Sequence, residues 1–229
     1  MKSSSSNGAA GEKEDSSRLL LCTALNGLSG ALLGPNLDNY HSAFGVLKYV
    51  NEVQLTVGDM TLLRTAQFVP PLFGLAGVII GGLYIGLDSL LNTPADSLSP
   101  HWPKIWRGIS YFCFVYWLSG LLAGGWHCPL VVIHATLALL AVGSWTFYDG
   151  TRAGAIVAVA TGLGGPAIEL FLINGLHLYS YLAADWYGIS SWIPWVYAAG
   201  APAVGNLARG YEKFAGALLA DEDSATGAQ

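Results

Sequence analysis

The stretch Gly143-Ser144-Trp145-Thr146-Phe147-Tyr148-Asp149-Gly150-Thr151-Arg152-Ala153-Gly154 decides how the rest of the chain is read. Before it, from Pro129, lies an apolar run long enough to cross a membrane, and after it, from Ala155, a second begins. The residues between them must turn the chain at a membrane edge. Trp145, Phe147 and Tyr148 fall at the depth where headgroups begin, and rings with one apolar and one wet end favour that layer. Asp149 and Arg152 are expected to face each other across the turn.

Working outward, the 229 residues have a mean hydropathy of +0.47, with 53% hydrophobic and 11% charged residues. Soluble domains carry about 25% charged residues, so the composition is that of an integral membrane protein. At about 20 residues per span, the apolar runs predict six helices, over 19–33, 68–87, 105–125, 129–147, 155–178 and 192–207. The expected fold is all-α: a polytopic membrane protein with a six-transmembrane-helix bundle over residues 18–209. Residues 1–17, rich in Ser, Gly, Glu and Lys, are expected to be disordered, and 210–229 to form a polar tail. The connection 35–65 is polar, with an interfacial helix expected around 46–50.

Six spans place both termini on one side. That side receives Lys2, Lys13, Arg18, Lys104, Arg107, Arg152, Arg209 and Lys213, and the other receives Lys48 and Arg64, an 8 to 2 division of the 10 basic residues. Basic residues are retained in the cytosol, so both flanks are expected there. Glycines within the runs predict close helix packing at Gly30/Gly34, Gly77/Gly81, Gly82/Gly86 and Gly120/Gly124. Gly162, Gly164, Gly165 and Pro166 predict a kink or unwound turn in the fifth span.

Cys22, Cys113 and Cys128 have neither metal-ligand spacing nor the pattern of a disulfide framework. No basic patch points to nucleic acid, and no metal or cofactor is implied. Glu169 lies mid-span, where a charged acid costs about 2.5–3.5 kcal/mol. His134 and Thr136 lie inside the fourth span, and His177 lies near the end of the fifth. These residues form no catalytic spacing, so an enzyme is not expected. Glu169 beside a broken fifth span would suit a small transporter or channel, because broken helices line substrate sites.

Val69-Pro70-Pro71, followed by Gly82-Leu83-Tyr84, Leu87 and Asp88, resembles the second span of the Insig (insulin-induced gene) family. Trp145 to Gly154 resembles that family's Trp-Thr-Phe-Asp-Arg-Ser-Arg-Ser-Gly region, with Asp149, Arg152 and Gly154 in register. Asn174-Gly175, Ser191-Trp192 with Pro194, and Gly205-Asn206 with Arg209 continue the resemblance, which covers 68–209. It implies an endoplasmic-reticulum protein of six spans with cytosolic termini, a non-catalytic regulator of sterol and isoprenoid synthesis. Such a protein binds a sterol or related lipid and associates with membrane proteins bearing sterol-sensing domains, Scap-like or HMG-CoA reductase-like. The resemblance implies ligand contacts at Phe112, Val132 and Thr136, and partner association at Asp149, with Arg152 beside it. The residues themselves add His134 and Glu169 as polar groups for a lipid pocket between the third, fourth and fifth spans. Three positions and one stretch depart from the family: a glutamine of its pocket falls at Val132, Glu169 stands for glutamine, Gly150 replaces the arginine after the aspartate, and Tyr116-Trp117-Leu118-Ser119-Gly120-Leu121 stands where the family is polar.

Overall fold

A computed structural model describes residues 4–226, with side chains placed from 15 to 220. The elements run α1 (Ser4–Ala43), β1 (Leu47–Tyr49), β2 (Val53–Val57), β3 (Met60–Thr65), α2 (Val69–Leu90) and a short α3 (Ala95–Leu98). They continue with α4 (Trp102–Gly120), which ends in a π-helical turn over Leu121–Gly125, then α5 (Leu130–Tyr148), α6 (Arg152–Asn174), β4 (Tyr179–Tyr181) and α7 (Ile193–Thr226). The chain is a multi-pass membrane protein. Among the described residues, four helices are long and apolar enough to cross a bilayer: Val69–Leu90, Trp102–Gly125, Leu130–Tyr148 and Arg152–Asn174.

The first and last long helices, α1 and α7, fall outside that apolar set. For α7 the reason is its surroundings. α7 packs against α1, α2, α4, α5 and α6, so its environment is protein rather than lipid. Val196, Ala199, Ala201 and Ala208 are fully buried along it, and its polar Asn206 and Arg209 are buried too. A helix wrapped by others can carry polar groups that a lipid-facing helix cannot. Both helices also continue past their expected ends: α1 extends back to Ser4, and α7 runs on to Thr226 through the segment expected to be a polar tail.

The fold is mostly helical, not all-α. Leu47–Tyr49 pairs antiparallel with Tyr179–Tyr181, and Val53–Val57 pairs with Met60–Thr65 in a hairpin. The expected interfacial helix at 46–50 is therefore a strand. Tyrosine and β-branched residues favour the pleated conformation, and the β1–β4 pairing sets Tyr49, Tyr179 and Tyr181 into the core.

Glycine packing follows the expectation in part. A Cβ at Gly77 would lie 2.6 Å from the Asn26 carbonyl oxygen, and one at Gly30 would lie 2.3 Å from that of Phe73, so α1 and α2 touch backbone to backbone. Gly124 meets the Phe44 carbonyl in the same way, whereas Gly82 and Gly86 face open space. The fifth span is not broken: α6 is continuous through Pro166. Gly162 and Gly165 serve instead to admit Pro194 and the Tyr197 ring of α7. The helical irregularity lies at the end of α4, in the π turn.

Candidate functional site: an ionic clamp and an apolar cavity

The turn that opened the sequence reading closes tightly. Gly150 ends α5 at φ +75°, a left-handed conformation that glycine adopts without a Cβ penalty, and its N–H reaches the Trp145 carbonyl at 2.7 Å. This is why glycine, rather than a long basic residue, suits position 150. Thr151 caps α6 by accepting from the Gly154 N–H at 3.0 Å. The Trp145 indole donates to the Thr151 carbonyl at 2.9 Å.

Asp149 does not pair with Arg152. Its carboxylate turns inward, with the side chain 0% exposed, and its Oδ1 accepts from Arg209 Nη1 at 2.9 Å. Arg209 also grips Asp88 in a two-pronged bond, Nε to Oδ2 at 2.7 Å and Nη2 to Oδ1 at 2.8 Å. Tyr84 donates to Asp149 Oδ2 at 2.8 Å while its ring lies under the guanidinium, 5.0 Å from centroid to Cζ. Thr151 Oγ1 donates to Asp149 Oδ1 at 2.8 Å. The clamp ties the end of α2, the α5–α6 turn and α7 into one buried unit. Gly154 and Gly205 make room for it: a Cβ at the first would fall 1.4 Å from Asp149 Oδ2, and at the second 2.2 Å from the Tyr84 ring. Arg152 is exposed.

The second feature is a cavity of about 90 Å³, walled by α1, α2, α4, α7 and Thr161 of α6. Its lining is almost wholly apolar, including Leu33, Phe73, Ile80, Phe112 and Ala203. Of the five residues expected at a ligand, Phe112 lines it. Glu169 stands one bond away, accepting from the Tyr197 hydroxyl at 2.8 Å, and Tyr197 is itself in the wall. Tyr181 donates to both Glu169 oxygens at 3.0 Å. Burial, with the Glu169 carboxylate beside it, holds the Tyr181 phenol well above its ordinary range, so it remains a donor. No lining residue comes from α5. Val132 is exposed on that helix, and Thr136 is half-buried. The cavity thus lies on the α1–α2 side of α4, not between the third, fourth and fifth spans as a group.

His134 belongs to a separate cluster. Its Nδ1 accepts from the Trp195 indole at 3.1 Å, and its Nε2 lies 2.9 Å from Ser191 Oγ. Ser191 Oγ bonds in turn to Asp185. With Nδ1 accepting, Nε2 carries the proton and donates to Ser191, whose hydroxyl hydrogen goes to the Asp185 carboxylate. In a nucleophilic triad the carboxylate orients the histidine, and the histidine takes the serine proton. Here every proton points toward the carboxylate, so the three residues anchor the loop before α7. His134 and Glu169 share none of their hydrogen-bond partners.

Asp149 directly follows the last residue of α5, at the end of the apolar run as expected, but sequence reasoning missed Tyr84, Asp88 and Arg209 as its neighbours. The signal was present: two of the few charged residues, at the ends of two apolar runs, inside the quoted motifs. Asn26 is a polar interruption of the first apolar run.

No family model matches the chain. It is 32% identical over 150 residues to the insulin-induced gene 1 protein of Gallus gallus, covering 65% of this chain and 57% of that protein. It is 31% identical over 150 residues to the Homo sapiens insulin-induced gene 1 protein, covering 65% and 52%. The chain therefore spans less than two thirds of the length of either relative. Among solved structures, the mycobacterial Insig homologue MvINS from Mycobacterium vanbaalenii superposes with a TM-score of 0.66 at 20% identity, over 82% of this chain and 92% of that one. A cross-linked MvINS trimer matches equally. Over those 150 residues the chain is similar in sequence to insulin-induced gene 1 proteins, and its fold is that of the mycobacterial Insig homologue.

Proposed function

We propose that this protein is a non-catalytic membrane regulator of sterol and isoprenoid synthesis that holds a sterol or related lipid within its bundle. It resides in the endoplasmic reticulum with both termini in the cytosol. The observation that carries the reading is the apolar cavity at Phe112, lined by helices of a chain similar to Insig proteins. Lipid pockets are lined mainly by hydrophobic and aromatic groups, with a few polar ones that orient the ligand. Val132 and Thr136, on the outward side of α5, offer a second lipid-facing contact. His134 acts by fixing the loop before α7.

Membrane proteins with sterol-sensing domains, Scap-like or HMG-CoA reductase-like, are the partners that the resemblance to Insig proteins favours. Asp149 serves this association by shaping the α5–α6 edge from within. Arg152 and Phe147, both exposed, offer the contact itself. The proton directions around His134 and Ser191 support the non-catalytic reading. The transporter alternative loses its ground because α6 is continuous.

The test is photo-crosslinking of the purified full-length chain with a cholesterol probe and a dioleoylglycerol probe. Saturable labelling, competed by the unlabelled lipid and weakened by Phe112→Trp, is expected for at least one of them. Labelling that fails to saturate with both probes overturns the proposal.

A further inference from the structure

The β2–β3 hairpin is two-faced. Val53, Leu55 and Val57 alternate along β2, and their cross-strand partners are Thr65, Leu63 and Met60. Directly opposed residues share a face, so Val53, Leu55, Val57, Met60 and Leu63 stand together on one side. Gln54 opposite Arg64, and Thr56 opposite Thr61, make the other side polar. Leu62, passed over by the register, forms a bulge between them. Such a division is the pattern of a sheet with its apolar face covered. Here that face is open: all of β2 is exposed, and Val57 and Met60 are each 62% exposed. A lone two-stranded hairpin is marginally stable in water, and a contiguous apolar patch marks a contact surface.

Asn39 of α1 fixes the level at which this face sits. Its Nδ2 donates to the Leu62 carbonyl at 3.2 Å, and its Oδ1 accepts from the Arg64 N–H at 2.7 Å. β3 therefore lies along α1 rather than off its end. A Cβ at Gly34 would strike the Phe73 ring, and one at Gly27 would touch Val78, so α1 and α2 run antiparallel. Asn39 lies five residues past Gly34, about 7.5 Å further along the helix, which brings it level with the first turn of α2 at Val69. α2 is long and apolar enough to cross a bilayer, and its first turn marks where the hydrocarbon ends. The outer stripe of α1 changes character at the same level. Leu28 and Leu32 are exposed, and the next residues of that face at helical spacing, Asn36 and Asn39, are polar. Only residues 66–68 separate β3 from α2.

We propose that the β2–β3 hairpin is a lateral membrane anchor, its apolar face resting on the leaflet that borders the α1–α2 end while Gln54, Thr56, Thr61 and Arg64 face water. The occupant of the patch is the lipid surface, because the patch continues the outer surface of α1 and α2 at the level where that surface leaves the bilayer. Strands of five and six residues fall short of the roughly 9–11 that cross a membrane. The outer edge of β2 is also unpaired, and open sheet edges are not tolerated in hydrocarbon. The hairpin therefore stays in the interfacial layer, where water and headgroups reach that edge and the apolar side chains reach the acyl boundary. This inference goes beyond the lipid reading above and stands without any ligand in the cavity.

The experiment places a photoreactive residue at single positions of the full-length protein in dioleoylphosphatidylcholine nanodiscs. Leu55→benzoylphenylalanine and Val57→benzoylphenylalanine probe the apolar face, and Thr56→benzoylphenylalanine and Thr61→benzoylphenylalanine the polar one. Mass spectrometry after illumination reads phospholipid adducts. The apolar-face positions are expected to give at least about fivefold more adduct than the polar-face positions, because neighbouring strand residues point to opposite sides. Two positions on each face preserve the comparison if one variant does not fold. Phospholipid adduct at neither face, or equally at both, overturns the anchor. Covalent dimers of the chain at Leu55 and Val57 in place of phospholipid adducts also overturn it, and assign the face to a second copy. Either failure leaves the cholesterol and dioleoylglycerol labelling of the cavity untouched.

Discussion

Arg209 and Asp149, sixty positions apart in the chain, meet at 2.9 Å with both side chains sealed from solvent. The same guanidinium holds Asp88 through two parallel bonds. One cation therefore serves two buried carboxylates, and the three positions are not equivalent. Removing Arg209 leaves two acids facing each other without a counter-charge. Removing Asp149 leaves a complete Arg209–Asp88 pair.

Arg209→Gln is therefore expected to cost about 3–5 kcal/mol, the scale of an uncompensated buried charge. Asp149→Asn should cost about 1–3 kcal/mol, the loss of bonds to a charged group. Thermal unfolding in detergent, followed by the monodisperse peak on size exclusion, should rank wild type above Asp149→Asn and both above Arg209→Gln. Equal melting for all three would mean that the clamp contributes nothing to the folded state.

The glycines beside the clamp give a sharper contrast. Gly154→Ala would set a methyl group on Asp149 Oδ2, and Gly205→Ala would set one inside the Tyr84 ring. Neither neighbour can withdraw, because each is fixed by a hydrogen bond to the other. Both variants should lose about 1–3 kcal/mol or more from overpacking and accumulate poorly. Gly82→Ala, which meets nothing within 4 Å, should accumulate as wild type or better, since alanine is the stronger helix former. Expression with a fluorescent fusion measures all three side by side.

The sequence carries the helices more clearly than the site. The starts of α2 and α5 fall at Val69 and Leu130, each one residue from the apolar boundary, because the edge of an apolar run is a local property. Strand β1 was hidden because its three residues are held by a partner, β4, far along the chain. The clamp was half visible: Tyr84, Asp88, Asp149, Asn206 and Arg209 all stand in recognisable motifs, yet their convergence is a product of packing. Arg152 lies nearer Asp149 in the chain than Arg209 does, and local spacing therefore favoured the wrong partner.

Glu169 separates shape from charge. Three phenol bonds converge on its two oxygens, and Glu169→Leu would leave the Tyr181 and Tyr197 hydroxyls without acceptors. That variant should lose about 1–3 kcal/mol for each buried hydroxyl left unpaired. Glu169→Gln keeps one acceptor oxygen and nearly the same volume, so it should lose less than Glu169→Leu. The thermal melts of the two variants read the difference. Ion or solute flux into proteoliposomes should stay at background for wild type and Glu169→Gln alike.

Topology offers a final check that is independent of any ligand. The β2–β3 hairpin follows α1 and precedes α2, so it lies at the opposite end of the bundle from the clamp, with its Gly58–Asp59 tip exposed. The 8 to 2 division of basic residues predicts a cytosolic clamp end and, with it, a lumenal hairpin. An N-glycosylation acceptor inserted on a flexible linker at Gly58–Asp59 should be modified in microsomes. The same acceptor on a linker after Gln229 should remain unmodified, and mass shifts on glycosidase treatment read both. Modification at the C-terminus, with none at the hairpin, would invert the bundle and move Asp149 and Arg152 away from cytosolic partners. Modification at both sites would show an even number of crossings between the hairpin and the C-terminus, excluding α7 as a span.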